Sequence, residues 1–304
     1  MVNVRCHHDA DGVSSAYFTS FGVKDAKIEI WSGEFGDTTG LTKNDYMCDM
    51  RPIQSDFPGT VIDHHGPYPE DRKYTLHTDN VPAGLIAFNL YKEDIPKSMW
   101  WKVALACVGD GQPELIPTEV YDSCPELLMN IKTSAYSSYG NWKINTFPTY
   151  KLLSSPVNAL LRKGEYQKAL NLVQYSEKPM NIINSVDAGK AKYDVKKELE
   201  DSKTGIMVRS DIYNLENLTV ILFNSEYRMS GYVATVLNNA MNGKTVMAIN
   251  RKNSRGSLRG DLAFYWRDKL KPLEYLICDG HPGFCGLTCT INPDTLIEDI
   301  LKMM

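Results

Sequence analysis

The chain has 304 residues, 43% hydrophobic and 23% charged, a length that predicts about two domains and a composition able to bury a core. Its formal net charge of −4 argues against a protein that grips long nucleic acid, because each phosphate contact calls for a Lys or Arg. Seven cysteines with no C-x-x-C pair read as reduced thiols, and the absence of a signal-like N-terminus or an apolar run of ~18 residues predicts no membrane association and a cytoplasmic protein by default.

Along the chain, short apolar runs stop abruptly at polar turns. Val2–Cys6 ends at His7-His8-Asp9-Ala10-Asp11-Gly12, Tyr46-Met47-Cys48 at Asp49, and Thr60-Val61-Ile62 at Asp63-His64-His65-Gly66. Helical patterns lie between and after them, over Val13–Phe21 and Ala83–Tyr91. Short strands alternating with helices predict parallel α/β structure. In such sheets the residues just past each strand collect at one edge, where ligands bind. Trp100–Cys107 reads as a buried helix stopping at Gly109-Asp110-Gly111, and Ser155–Gln174 as one or two amphipathic helices. Met180–Leu199, polar and lysine-rich, predicts a helix bridging two domains. A second, smaller α/β unit follows: a strand over Leu218–Phe223, a helix from Gly231 to Met241 and a strand over Thr245–Ile249.

Four motifs gather acids and imidazoles: His7, Asp9 and Asp11 at alternate positions; Asp49; Asp63-His64-His65; and Asp110. Taken singly, an Asp-Gly is a turn and a strand-end Asp a helix cap. Together these carboxylates would repel one another and resist ionisation unless cations neutralise them. Oxygen ligands with a minority of imidazoles suit Mn²⁺ or Mg²⁺. One aspartate shared by two such ions is the arrangement that phosphoryl hydrolysis needs. Gly243-Lys244-Thr245 lacks the earlier glycine of a Walker A loop, so ATP-driven chemistry is not indicated.

At these residues the sequence resembles the DHH–DHHA1 phosphoesterase superfamily, which includes RecJ-like exonucleases and NrnA-like oligoribonucleases. His7, Asp9, Asp11 and Gly12 match the H-x-D-x-D-G element, Asp49 the second motif, Asp63-His64-His65 the name-giving motif and Asp110 the fourth. Gly280-His281-Pro282-Gly283-Phe284-Cys285-Gly286 is similar to the glycine-rich DHHA1 signature. It departs from that signature at Asp279 and at Phe284-Cys285, which stand where small residues are usual. Ser257-Leu258-Arg259 resembles the family's S-x-R strand, and Asn158, Arg162 and Gly164 a RecJ-like element late in the DHH domain.

The resemblance implies a parallel-sheet α/β DHH catalytic domain over residues 1–178, a helical linker over 179–204 and a smaller α/β DHHA1 domain over 205–304, with the active site between the domains. His7 and Asp9 would hold one divalent cation and Asp11, His64 and Asp110 the other, with Asp49 bridging. Mn²⁺ is the preferred ion and Mg²⁺ a possible one. Asp63 would orient the site, and His65 would face the scissile phosphate. Arg259, Ser257, Gly280, His281, Gly283 and Gly286 would bind substrate. The implied activity is a phosphodiesterase or exonuclease on short oligonucleotides or single-strand ends. A phosphatase or pyrophosphatase on small phosphates is the alternative, and a catalytically silent scaffold protein the more distant one.

A rival for the C-terminal region is a zinc site from Cys278, His281, Cys285 and Cys289, whose spacings do not make paired knuckles. The basic run Arg251, Lys252, Arg255 and Arg259 is expected to meet a few phosphates only. With the acidic net charge, it predicts substrates of about two to five nucleotides.

Overall fold

A computed structural model describes the chain apart from residues 34, 137–141, 201–205, 207–208, 243, 282 and 304, and apart from the side chains of residues 134–136, 142–143, 279–281 and 284. It divides into two units: Met1–Leu161 with Glu165–Lys192, and Arg162–Gly164 with Tyr193–Met304. Among the described residues no helix is long and apolar enough to cross a membrane.

The first unit opens β1 (Val2–Cys6), α1 (Ala10–Gly22), β2 (Ala26–Ile30), β3 (Tyr46–Cys48), β4 (Thr60–Ile62), β5 (Thr75–His77) and α2 (Ala83–Tyr91). The five strands form one sheet in the order β2-β1-β3-β4-β5, with every pair parallel. Val4, Cys6, Met47, Cys48, Val61 and Ile62 are fully buried, because a parallel sheet covered on both faces leaves no solvated side. The register aligns Cys6 with Cys48, Cys48 with Ile62, and Ile62 with His77. The next residues, His7, Asp49 and Asp63, therefore leave the sheet side by side at one edge.

A 3₁₀ segment over Lys97–Lys102 then leads into α3 (Val103–Gly109). The sequence predicts one helix here. The tighter turn instead carries Trp100 and Trp101 into the core beside Phe88 and Phe18. After α4 (Thr118–Ser123) comes a separate two-stranded antiparallel hairpin, β6 (Asn130–Tyr136) with β7 (Trp142–Pro148). Then follow α5 (Ser154–Arg162), α6 (Tyr166–Tyr175), α7 (Pro179–Ile183) and α8 (Val186–Glu200). The lysine-rich stretch is thus two helices. Ala188 and Ala191 of α8 pack with the first unit's core, Val195 and Leu199 with that of the second.

The second unit holds β8 (Asp211–Asn214), β9 (Leu218–Phe223), α9 (Ser230–Ala240), β10 (Thr245–Asn250), β11 (Arg255–Arg259), α10 (Ala263–Leu270), β12 (Leu276–His281), β13 (Phe284–Cys289) and α11 (Pro293–Met303). Its sheet runs β12-β13-β11-β10-β9-β8, parallel only between β9 and β10. All six residues of β9 are buried. Val220 and Leu222 pack with Trp266 and Ile300, whereas Ile221 and Phe223 pack with Val233 and Leu237. This alternation puts helices on both faces of the sheet.

Candidate metal centre

The turn after β1 builds the first wall. Asp9 caps α1, its Oδ1 accepting from Gly12 N at 2.9 Å, and its Oδ2 accepts from His7 Nδ1 at 2.8 Å. Gly12 is required because a Cβ there would lie 2.5 Å from the His7 carbonyl oxygen. Asn158 of α5 accepts from Ala10 N at 2.9 Å and so holds the start of α1. Asp11, almost fully buried, accepts from Ala83 N and Gly84 N, both at 2.8 Å. It sits on the amino end of α2, where backbone donors favour a carboxylate.

Asp49 follows β3 with φ of 58°, a left-handed conformation that Asp tolerates better than most residues and that surrounding structure must hold. It is 1% exposed. Its Oδ2 lies 3.4 Å from His7 Nδ1 and its Oδ1 3.3 Å from His64 Nε2. Asp110 comes not from a strand but from the C-terminal end of α3, where Gly111 takes φ of 76° to turn the chain away. His64 Nδ1 is 3.9 Å from Asp110 Oδ2, and His64 Nε2 is 3.7 Å from Asp11 Oδ2. Ligand atoms within 4.8 Å of one another form three groups: His7, Asp9 and Asp49; Asp11, His64 and Asp110; and Asp49, His64 and His65. All six residues expected to hold metal thus lie together. Arg259, Ser257, Gly280, His281, Gly283 and Gly286 belong to the second unit.

The electrostatics are those of crowded, buried acids. Burial raises the carboxyl of Asp110 to about 7, with Asp49 and Asp9 adding repulsion. Burial and the charges of Asp49 and Asp110 also hold Asp11 well above the ordinary carboxylate range. Burial opposes a charged His7, but Asp9 and Asp49 outweigh it and push the imidazole up to about 10. Among the described residues, Asp49 Oδ1 and Asp110 Oδ2 are buried and accept no hydrogen bond. Buried oxygens left this way cost free energy until something positive meets them. Oxygen donors with two imidazoles fit hard or borderline divalent cations.

Asp63, fully buried, accepts from His65 Nδ1 at 2.6 Å and from Tyr68 Oη at 3.0 Å. Burial works against its charge, yet His65 keeps Asp63 below the usual carboxylate range; in return Asp63 helps push His65 up to about 9 against its own burial. One neighbour escaped the sequence: Phe35, its ring edge-on to His7 at 5.5 Å and to His65 at 5.7 Å. Arg5 pins that loop, donating to Glu29, Asp37 O and Thr39 O while stacking on Trp31. A lone aromatic in a loop carries no signal for such a role.

In the second unit, register sets Ser257 opposite Gly286. Ser257 is buried and donates to Cys285 O at 3.2 Å. Arg259 donates to Leu258 O at 2.8 Å. Burial, with the like charge of Arg162, lowers Arg259 to about 10. Arg259 lines a cavity of about 220 Å³ with Thr235, Asn238, Asn239 and Gly283. Gly280 and His281 lie in β12, but the His281 side chain falls outside the described part. The basic run is less available than the sequence suggests. Arg251 is engaged by Asp294 and Asp211, and Lys252 by Glu226.

No protein-family model matches the chain, and no curated protein matches it in sequence. Solved structures do. RecJ in complex with Mn²⁺ from Thermus thermophilus superposes with a TM-score of 0.65 at 15% identity, over 99% of this chain and 51% of that one. The DHH domain of a member of a family of ribosomal proteins gives 0.61 at 11%, over 99% and 85%. The chain has the DHH-superfamily fold. An exonuclease RecJ bound to manganese shares this DHH fold, with a TM-score of 0.60 at 15% identity over 99% and 88% of the two chains. The chain spans about half the length of the Thermus RecJ.

Proposed function

We propose that the chain is a metal-dependent phosphoesterase that hydrolyses short oligonucleotides or single-strand ends with two divalent cations, preferably Mn²⁺. The observation that carries the reading is Asp49, buried and set between His7 and His64, with one oxygen accepting no hydrogen bond among the described residues. His7, Asp9 and Asp49 would hold one ion, and Asp11, His64 and Asp110, with Asp49, the other. When bound, such a pair supplies an acidified water as nucleophile and charge compensation at the leaving oxygen. His65, oriented through Nδ1 by Asp63, would present Nε2 to a phosphate oxygen. Arg259, beside the second unit's cavity, would bind a substrate phosphate. RecJ structures holding Mn²⁺ or Mg²⁺ support the choice of ions.

The small Arg259 cavity favours a second reading, a phosphatase or pyrophosphatase on small phosphates. One Mn²⁺ assay across dinucleotides, labelled single-stranded DNA and RNA, cyclic dinucleotides, pyrophosphate and nucleoside phosphates separates the two. No Mn²⁺-dependent turnover of any substrate would leave a silent DHH-type binding protein.

A further inference from the structure

We propose that Phe35 determines the substrate class of the metal centre, stacking on the nucleobase of the nucleotide whose phosphate the centre holds. That phosphate rests on the function proposed above; Phe35 adds the requirement for a base attached to it. His7, His65 and Phe35 all belong to the first unit. The Phe35 ring stands close to perpendicular to both imidazoles, its centroid 5.5 Å from that of His7 and 5.7 Å from that of His65. His65 is the residue that would face the scissile phosphate, so the ring lies within one nucleotide's reach of it. The ligand groups themselves are carboxylates and imidazoles, which offer a base little apolar surface.

The surrounding loop is tied down on both sides of this ring. Trp31 N donates to Cys6 O at 2.8 Å, fastening the chain to the end of β1. Arg5, only 5% exposed, donates to Asp37 O at 2.9 Å and to Thr39 O at 3.1 Å, and its guanidinium lies 3.8 Å from the centre of the Trp31 ring. Ile53 N donates to Gly36 O at 2.9 Å, which docks the loop on the segment after Asp49. The fit there is close, since a Cβ on Gly36 would strike Arg51 O. A ring anchored in this way loses little freedom when a ligand meets it. Phe35 packs against the buried cluster of Met47, Met50, Phe57, Val61 and Tyr74, yet stays only partly buried itself. A ring serving packing alone would lie inside that cluster, as Phe57 does at 2% exposed. The uncovered part of Phe35 is what a base can meet. Every base has a π-face, so the residue favours nucleotides over base-free phosphates without choosing among bases.

The test measures, by calorimetry in Mn²⁺, the affinity of the full chain for deoxyadenosine 5′-monophosphate and for deoxyribose 5-phosphate, which lacks the base. The ratio of the two affinities is the readout. Phe35→Ala is expected to lower that ratio roughly five- to a hundredfold. Phe35→Leu, which keeps apolar bulk but has no π-face, should lower it as well, and Phe35→Trp should hold it at the wild-type value. Melting temperatures check that each variant is folded. A ring that only packs against His7 and His65 would, when lost, weaken both ligands alike, so an unchanged ratio in Phe35→Ala and Phe35→Leu overturns the inference. A wild-type ratio near one, or no binding of either ligand by the wild type, overturns it too. Dinucleotide hydrolysis in Mn²⁺ is followed alongside. Turnover without any preference for the base leaves the phosphoesterase reading standing and sinks this one. A base preference that Phe35→Leu abolishes, with no turnover of any substrate, does the reverse.

Discussion

Asp63 and His65 form a 2.6 Å hydrogen bond with no exposed surface on the acid. The bond keeps the proton on Nδ1 and turns the ring, as carboxylates do behind functional imidazoles. Asp63→Asn keeps the shape but removes the charge. It should lower kcat by roughly 10- to 100-fold while metal content stays at the wild-type level. Tyr68→Phe, which leaves the His65 contact intact, should have a much smaller effect. Wild-type turnover in Asp63→Asn would show that the pair does not serve the reaction.

Asp49 stands in two of the three groups of ligand atoms and is the side chain that both proposed ion sites would share. Asp49→Asn suits the test because Asn also tolerates the positive φ. The variant should lose Mn²⁺ binding and activity together, since it disturbs both proposed sites. In chelator it should melt no lower than the wild type, because Asp49 adds to the repulsion that raises Asp11 and Asp110. Full metal stoichiometry by elemental analysis, or activity in excess chelator, would sink the two-ion reading.

What the sequence made legible follows from burial. Strands β1, β3 and β4 are buried enough to read as plain apolar runs, and each stops at a polar turn that holds site residues. The edge strands β2 and β5 are half-buried, and Ala-Lys-Ile-Glu-Ile and Thr-Leu-His lack the continuous apolar run that marks β3. Strand β12 was hidden because Asp279 and Gly280 break its pattern. The proposed ligand set was legible because its members stand in the polar stretches that follow β1, β3, β4 and α3. Asn158 was singled out by its resemblance to a RecJ-like element, but Phe35 and Tyr68 were not legible as partners, since they reach the site through the fold alone. Arg251 shows the converse error: it reads as free in a basic run, but its acids lie 40 and 43 residues away.

Lys102 is fully buried, its Nζ 3.0 Å from Tyr17 Oη and 3.3 Å from Gln174 O. Burial lowers it to about 7. Between that value and the unfolded value of about 10.4, the unfolded chain holds a proton that the folded one lacks. Stability from this group therefore rises with pH across that window, by up to about 1.4 kcal/mol per unit. Lys102→Met removes the charge but orphans Tyr17 and Gln174, offsetting part of any gain. Denaturant unfolding of both proteins from pH 6 to 10 should show the wild type gaining on the variant as pH rises. A difference that does not change with pH would contradict the buried-cation account.

Arg259 tests the proposed substrate role of the second unit. Its guanidinium is largely buried and lowered to about 10, with Arg162 as a like-charged neighbour. Two cations held close in a poorly hydrated place repel, and a bound phosphate would relieve that repulsion. Arg259→Ala should then reduce kcat/KM by roughly 10- to 100-fold, the loss of a charge-assisted phosphate contact worth about 1.5–3 kcal/mol. The effect should fall mainly on KM. Metal content must not change, because Arg259 belongs to the second unit and every proposed metal ligand to the first. Arg259→Lys should recover only part of the loss, since a point charge does not reproduce a bidentate fork. The melting temperature is a needed control, as Arg259 Nη1 also donates to Leu258 O. Unchanged kinetics in a stable Arg259→Ala protein would remove the second unit's cavity from the substrate path. Loss of metal in that protein would mean that Arg259 serves the metal centre rather than the substrate.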